Sequence, residues 1–269
     1  MNKEIKVKSL IVKPISKAAA NTLCRRWHYS GKVDSRSQIH LGVFHNNMCY
    51  GIMQFGPSIY KKKIIGIVKG TRWNGFLELN RMAFSDELPK NSESRCLAMA
   101  FKIIKKRYPF IKWIISYSDA TQSGDGAIYR ATSFKLTAIN KNKSMIRTKN
   151  GDVICSLIMS LSSTSNATKK RYGFRPGLDT LKSWMDRDKL SYLPGYQLRY
   201  IKFLNPEAEK DLTVPIIPYS KIPDEVKMYK GIKRIEHESN AAISQMAEGG
   251  AVPTDALHNT QYDSPPRCL

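Results

Sequence analysis

Negative charge is scarce over most of this sequence. Residues 1–204 hold 12 acidic residues against 37 basic ones, a net charge of +25, whereas residues 205–269 hold 10 acidic and 7 basic residues, a net charge of −3. Folding does not require so much like charge, which repels itself, and a polyanionic partner would offset the repulsion. We expect nucleic acid rather than a membrane surface, because no basic amphipathic helix is evident. The alternative is a basic surface that only favours solubility.

Cysteine pairs, metal-binding motifs and long apolar runs are also missing. The five cysteines are scattered and form no CxxC pair, which argues against a zinc knuckle or a disulfide framework and favours a reducing compartment. Neither HxH nor HExxH occurs, so no metal site is indicated. No apolar run approaches the length of a membrane span, and residues 1–8 lack the apolar core of a signal peptide. We therefore expect a soluble intracellular protein.

Alternating strand and helix patterns occupy the basic part of the chain. A strand over residues 76–84, a polar loop, an apolar helical face from Leu97 to Ile104 and a buried strand over residues 111–117 indicate a βαβ unit. We predict an α/β fold over residues 1–204, with a mixed central sheet flanked by helices. Residues 205–269 lose this periodicity, which predicts an extended or disordered, acidic-leaning tail.

A polar segment precedes the helix of this βαβ unit. Asn91, Ser92, Ser94 and Arg95 lie at its start, where unpaired N–H groups and the helix dipole favour an anion. We expect these residues to bind the anionic part of a cofactor. An ordinary helix cap is an equally good interpretation of the segment alone.

The order of these elements resembles the GNAT acyltransferase superfamily. After the second strand come a short helix with Tyr129 and a Tyr-x-x-x-Ser-Phe sequence that enters a third strand, where the superfamily commonly has Tyr-x-x-x-Gly-Phe. The resemblance implies a GNAT-like fold over roughly residues 10–203, with Tyr129 near the acyl donor. The superfamily's Gly-rich pyrophosphate loop is replaced here by LPKNSES at residues 88–94, which weakens the implication of coenzyme A binding.

A second resemblance is more specific. Six motifs occur together in this order: CRRWHYSGK at residues 24–32, HLGVF at 40–44, QFGPS at 54–58, ELNRM at 78–82, PKNSESR at 89–95 and GDGAIYRA at 124–131. Together they resemble the Mom family, the DNA-modification proteins of Mu-like bacteriophages. The resemblance implies conversion of adenine in double-stranded phage DNA to N6-carbamoylmethyl-adenine, which blocks host restriction enzymes. It also implies a place in the cytoplasm of the infected bacterial host.

This chemistry suggests roles for the polar residues at strand and helix ends. The exocyclic amine of adenine is a poor nucleophile, so an enzyme must extrude the base and remove a proton as the bond forms. Asp119 follows a buried strand and is the predicted base, unless it only forms a turn. Tyr129 is the predicted acid or donor-orienting hydroxyl, unless it is a core tyrosine. Ser116 and Tyr117 share the strand end, and alternation lets only one of them face the ligand.

The end of the first helix supplies two further candidates. His28 could transfer protons near neutral pH or bind a metal, and Tyr29 could stack on an extruded base. The alternative is an aromatic helix end packed on the sheet. Glu78 lies in the middle of an apolar strand, where a buried charge needs a partner, but we assign it no role from sequence.

Basic clusters would contact DNA phosphates, which provide affinity without reading sequence. We expect DNA contacts from two of them: Lys61, Lys62 and Lys63, and Lys169, Lys170 and Arg171. Each cluster alone could be an ordinary solvated surface, so the prediction rests on the excess of basic residues in the clusters taken together.

The acyl donor follows from counting atoms in the implied product. The CH₂–CO–NH₂ group contains a nitrogen that acetyl-coenzyme A lacks, and it is joined through the methylene rather than the carbonyl carbon. A glycyl group carried by glycyl-tRNA solves both problems, so tRNA is a possible second partner. Acetyl-coenzyme A with iron and a separate nitrogen source is the alternative. The sequence specifies neither the metal nor the oligomeric state.

Two other functions compete with this interpretation. An ordinary GNAT enzyme that acetylates a protein or a small amine explains the fold but not the charge. A DNA-binding protein without catalytic activity explains the charge, but it does not explain the Tyr, Asp and His residues at predicted strand ends.

Overall fold

A seven-stranded mixed sheet forms the centre of the molecule. The computed structural model describes residues 5–28, 30–120, 124–162 and 164–223. The spatial strand order is β1-β2-β3-β4-β5-β9-β6, and only β4 and β5 are parallel neighbours. The strands are β1 (Ile11–Pro14), β2 (Ile39–His45), β3 (Met48–Gly56), β4 (Phe76–Phe84), β5 (Trp113–Asp119), β6 (Lys135–Lys141) and β9 (Tyr196–Phe203). A separate hairpin comprises β7 (Met145–Arg147) and β8 (Val153–Cys155).

Six α-helices accompany the strands in the described part of the chain. They are α1 (Lys17–Trp27), α2 (Lys61–Ile64), α3 (Ser92–Arg107), α4 (Ala127–Ala131), α5 (Asn166–Arg171) and α6 (Leu181–Arg187). Ser16 caps α1 by accepting a hydrogen bond from the Ala19 N–H. None of these helices is long and apolar enough to span a lipid bilayer.

The helices cover both faces of the sheet. On one face, here called the α1 face, Leu23 of α1 packs in a cluster with Ile52 and Ala83. On the other, the α3 face, Leu97 packs with Ile114 in the largest cluster. This arrangement confirms the predicted α/β fold with a mixed central sheet flanked by helices.

The α2 segment also belongs to the α1 face. Ile64 and Ile67 pack against Trp113 and Ile115, whose side chains alternate with Ile114 along β5. The α1 face therefore carries α1 beside β2 to β4 and the α2 segment beside β4 and β5. We call the part of the α1 face between these two helical layers, beside β4, the groove of the α1 face.

The sheet opens between its two parallel strands. β4 pairs with β5 only from Phe76–Trp113 to Glu78–Ile115. Beyond Glu78 a bulge shifts the register between β3 and β4, while β5 continues to pair with β9 up to Asp119. The carboxyl ends of β4 and β5 are therefore unpaired with each other, which is where ligand sites of α/β folds form. We call this opening the β4–β5 gap.

The packed domain continues past residue 204, where the sequence predicts the start of a tail. Residues 205–223 lie against the sheet: the Ile217 N–H donates to the Leu136 carbonyl at 2.8 Å, and the Tyr219 hydroxyl donates to the Phe134 carbonyl. The sequence predicts an extended or disordered tail here and does not predict this packing, because individual hydrogen bonds and two short 3₁₀ helices hold the segment. The remainder of the predicted tail lies outside the described residues.

Candidate functional site

Buried polar atoms line the β4–β5 gap. Glu78 ends the paired part of β4, Asn80 lies at the bulge and Ser116 begins the unpaired part of β5. Oε2 of Glu78, Nδ2 of Asn80 and Oγ of Ser116 are buried and form no hydrogen bond of regular geometry within the described residues, although the Ser58 hydroxyl lies near Glu78 and Ser116 lies near the Tyr129 phenol. A buried polar group without a partner costs free energy, so native structures retain few of them. Their concentration at one opening favours a binding site that a ligand completes.

Glu78 has the electrostatic character of a proton acceptor. Burial raises the pKa of its carboxyl group, while the nearby Ser58 hydroxyl and the Arg36 guanidinium act in the opposite direction. An ion pair with Asp34 fixes Arg36, whose Nε donates to Asp34 Oδ1 at 3.0 Å. A carboxylate with a raised pKa is a stronger base than an exposed one, and it works nearer to neutral pH.

Tyr129 approaches the gap from the α3 face. Its ring lies 5.1 Å from that of Tyr200, which packs against the start of α4. Gly126 permits this packing, because it has φ +77° and a Cβ there would lie 2.6 Å from the Tyr200 ring. Burial raises the pKa of the Tyr129 phenol; Ser116 opposes the shift and Glu78 adds to it. The phenol therefore keeps its proton at neutral pH and can donate it.

The other residues predicted at the end of β5 are divided between the two faces of the sheet. Ser116 is buried beside Tyr129, whereas Tyr117 is 37% exposed and points the other way. Asp119 lies at the last pair of β5 and β9, where Nε2 of Gln197 donates to its Oδ1 at 2.8 Å. The structure thus separates Tyr129 and Asp119 onto opposite faces of the sheet.

His28 lies on the α1 face beside the bulged strand. Burial, followed by the charge of Arg81, lowers the pKa of His28 to about 4, so the ring is neutral at pH 7. The Ser30 N–H donates to Nδ1 at 3.2 Å, which places the proton of the neutral ring on Nε2. Arg81 is fixed by a 2.9 Å bond from Nε to the Lys32 carbonyl. Tyr29 lies outside the described residues.

Glu78 connects the two faces. Burial raises the pKa of Tyr117 on the α1 face and of Tyr129 on the α3 face, and the charge of Glu78 adds to both shifts. A ligand in the gap would therefore meet Tyr129 from one side and the groove of the α1 face from the other. The sequence contains the signal for Glu78, an acid within the apolar strand Phe76–Phe84. It does not show that β5 leaves β4 beside this residue.

At the start of α3, two of the predicted cofactor-binding side chains bond to the protein itself. Ser92 donates its hydroxyl proton to a backbone carbonyl of the preceding loop at 2.6 Å, and Ser94 donates to the Asn91 carbonyl at 3.2 Å. The backbone N–H of Arg95 also bonds to Asn91. Glu93 places a negative charge in the first turn, which disfavours an anion. These contacts weaken the fit of this helix start to a pyrophosphate.

The described residues do not fit an iron site either. In residues 5–28, 30–120, 124–162 and 164–223, no group of three His, Cys, Asp or Glu side chains is arranged to hold a metal ion. His28 and Asp119 do not lie together as ligands of one metal ion. His28 lies beside Arg81, and Asp119 accepts a hydrogen bond from Gln197.

The two predicted DNA-binding clusters lie in different parts of the molecule. Lys62 and Lys63 are exposed on α2, and Nζ of Lys61 lies 4.5 Å from the centre of the Trp73 ring. The second cluster ends α5, with Lys169 partly buried and Lys170 and Arg171 exposed. The first cluster borders the groove of the α1 face, and the second belongs to the segment between β6 and β9.

Known proteins resemble this chain at two levels. Methylcarbamoylase mom of Escherichia phage Mu is 31% identical over 217 residues, which are 80% of this chain and 85% of that protein. The Escherichia coli ribosomal-protein-S18-alanine N-acetyltransferase shares 10% identity and a TM-score of 0.40, covering 73% of this chain and 94% of its own. Arabidopsis thaliana NAA60 in complex with a bisubstrate analogue shares 9% identity and a TM-score of 0.43, covering 72% of this chain and 97% of its own.

The family match covers both sides of the β4–β5 gap. The family model of the Mom protein family matches residues 9–221, from the start of β1 to the segment that packs beyond β9. This range includes every described residue of the gap and of both basic clusters. With this match and the 31% identity to the phage Mu protein, the chain belongs to the Mom protein family.

Proposed function

We propose that this chain is an enzyme that converts adenine in double-stranded DNA to N6-carbamoylmethyl-adenine. It would act on phage DNA in the cytoplasm of the bacterial host and protect that DNA from restriction. The observation that carries the proposal is the β4–β5 gap, where the buried Glu78 carboxylate lies close enough to Tyr117 and Tyr129 to influence the pKa of both phenols and where other polar atoms are also buried. The name of the phage Mu relative, methylcarbamoylase, supports a reaction of this class.

In this proposal the two substrates enter from opposite faces. The extruded adenine occupies the groove of the α1 face, and its amine meets the acyl donor in the gap. Glu78 accepts the proton that N6 loses as the bond forms, with Asp119, the base expected from sequence, as the alternative acceptor. Tyr129, which is protonated at neutral pH, donates a hydrogen bond to the oxygen on which charge develops and then gives its proton to the leaving group.

We assign the donor as a glycyl ester, as in glycyl-tRNA. N6 attacks the carbonyl, and the tRNA hydroxyl leaves with a proton from Tyr129. The free glycyl amine then attacks ring carbon 6 through a five-membered ring, and expulsion of the original nitrogen leaves the carbamoylmethyl isomer. The route needs no oxidant. The weakened fit of α3 to a pyrophosphate and the net charge of +25 over residues 1–204 support it.

Nucleoside mass spectrometry on DNA from cells that express the protein tests the function. The wild type should yield an adenosine derivative heavier by CH₂CONH₂ in place of one hydrogen, and Tyr129→Phe should yield far less. Unmodified DNA from cells with folded wild-type protein would contradict the proposal, and an acetylated protein or small amine would favour the ordinary GNAT alternative.

Isotope labelling tests the donor. Cells fed ¹⁵N-glycine should place the label on the ring-linked nitrogen of the modified adenine, with unmodified adenine from the same sample as the control for scrambling into purines. Purified protein should modify DNA with glycyl-tRNA. Activity with acetyl-coenzyme A, iron and ammonia, and none with glycyl-tRNA, would refute the glycyl route.

A further inference from the structure

Two large apolar side chains are exposed in the loop that follows β3. Ile59 is 54% and Tyr60 48% exposed. They directly follow Ser58, whose hydroxyl lies near the Glu78 carboxylate, and Gly56 at the end of β3 pairs with Glu78. The loop that carries both side chains therefore starts beside the residue at which β4 and β5 separate.

The backbone that carries these side chains is fixed. Tyr60 accepts hydrogen bonds from the N–H groups of Lys63 at 2.8 Å and Ile64 at 3.0 Å, and Ile64 is buried against the sheet. On the other side, Nη1 of Arg36 donates to the Pro57 carbonyl at 3.4 Å. Ile59 and Tyr60 thus project from a rigid loop, so their exposure does not come from a loosely packed segment.

The charge around the pair indicates its partner. Residues 57–75 contain five basic residues and no acidic residue. Lys62 and Lys63 are exposed immediately after Tyr60, and Lys61 is held over Trp73. A partner that matches this surface has an anionic exterior and an apolar interior within reach. Duplex DNA has both, because its phosphates surround a stack of bases.

We propose that Ile59 and Tyr60 form a wedge that enters the base stack and holds the target adenine extruded toward Glu78. This inference rests on the proposed function and adds the step that makes duplex DNA accessible to it. Apolar side chains inserted at a base step offset the loss of stacking, and the exposed lysines hold the flanking phosphates. The surrounding duplex then closes over the groove of the α1 face.

The test compares one target adenine in two duplexes, one fully paired and one with an abasic site opposite the adenine. Extrusion costs a few kcal/mol when the base is paired and stacked, and less when it is unpaired. The Ile59→Ala/Tyr60→Ala variant should modify the paired duplex on the order of 10²-fold more slowly than the wild type, yet stay within about threefold of it on the abasic duplex. Ile11→Ala on β1, where the side chain is 59% exposed, is the matched control and should match the wild type on both.

A second readout does not depend on the chemistry. With 2-aminopurine at the target position, wild-type binding should raise the fluorescence as the base leaves the stack, and the double variant should bind without that rise. Equal rates on the paired duplex, equal fluorescence, or an equal loss of rate on both duplexes would overturn the wedge. If the wild type modifies no DNA, the proposed function fails, and the fluorescence comparison still decides whether these side chains extrude a base.

Discussion

At the scale of single residues, two carboxylates compete for the role of base. Asp119 lies at the end of β5 and accepts a hydrogen bond from Gln197, whereas Oε2 of Glu78 is buried in the gap and forms no hydrogen bond of regular geometry within the described residues. Glu78→Gln should lower kcat by a factor on the order of 10² to 10⁴ if Glu78 takes the proton. Asp119→Asn, which keeps the size of the side chain and most of its hydrogen bonding, should lower kcat by a smaller factor.

The pH dependence of kcat/KM distinguishes the two carboxylates more sharply than kcat at a single pH does. Because burial raises the pKa of Glu78, kcat/KM should fall as the pH drops through that raised value. Glu78→Gln should remove this acid limb, and Asp119→Asn should leave it in place. An acid limb that survives Glu78→Gln and disappears in Asp119→Asn would assign the base to Asp119, as the sequence predicts.

His40 should make folding stability depend on pH. It is 5% exposed, and burial lowers its pKa to about 4 from an unfolded value of about 6.5. The unfolded state therefore binds the proton first, so the stability present above pH 6.5 declines as the pH falls toward 4. The loss is at most about 3 kcal/mol for His40. His28, whose pKa is also lowered to about 4, contributes in the same direction.

Urea unfolding of the wild type and of His40→Gln at several pH values between 7.5 and 4.5 measures this dependence. The variant should lose less stability over that range, whatever its stability at pH 7.5. Parallel curves for the two proteins would show that His40 titrates normally in the folded state.

At the scale of elements, the turn between α4 and β6 contains a strained residue. Ser133 has φ +59° at the position where the GNAT superfamily commonly has glycine. A left-handed conformation costs a non-glycine residue about 1–2 kcal/mol. Glycine avoids this cost but loses more conformational entropy on folding, which cancels part of the gain in stability. Ser133→Gly should therefore stabilise the protein by about 0.5–1 kcal/mol in urea unfolding. Ser133→Ala is the control and should bring no gain, because its Cβ meets the same strain.

The elements also show how far sequence reasoning reaches. The predicted strand over residues 76–84 matches β4, because apolar positions and turn residues bound it clearly. Sequence patterns are local, however, and β9 enters the sheet between β5 and β6 through pairings formed across distant segments. The gap depends on those pairings, so no local pattern reveals that Glu78 faces it.

The predicted cofactor-binding residues at the start of α3 show a different limit of prediction from sequence. The pattern of Ser, Asn and Arg at a helix start correctly places Ser92 at the first turn. Whether its hydroxyl faces a ligand or the protein depends on the path of the loop before it. In the structure that loop presents a carbonyl 2.6 Å from the Ser92 oxygen. Residue type therefore predicts the helix start, and only the fold determines what the hydroxyl binds.

At the scale of the whole molecule, the basic surface should govern DNA affinity. Replacing Lys62 and Lys63 with Gln should weaken binding to all sequences about equally and lower the slope of log K against log salt by about 1–2. Lys61 is left intact because it packs on Trp73. The same exchange at Lys170 and Arg171 measures the second cluster. An unchanged slope would show that the exchanged pair contacts solvent only.

The last prediction concerns where the folded domain ends. Beyond β9, Leu212 pairs with Val68 in an isolated bridge, the Thr213 N–H donates to Ile67 at 2.8 Å, and Ile217 packs on the central core. These contacts reach from the α2 segment in the middle of the sheet to β6 at its edge, so the segment ties distant elements together. A chain that ends after Leu204 leaves their backbone partners and apolar surface exposed to water.

We therefore expect two truncated chains to behave differently. A chain ending at Pro223 should unfold with the midpoint of the full protein and keep its DNA-modifying activity. A chain ending at Leu204 should lose on the order of 5 kcal/mol, because at least four lost hydrogen bonds contribute about 1 kcal/mol each and apolar side chains become exposed. Urea unfolding measures both, and its m-value reports whether each chain still unfolds as one unit. Equal midpoints for the two would show that the domain ends at β9 and that residues 205–223 belong to the tail, as the sequence suggests.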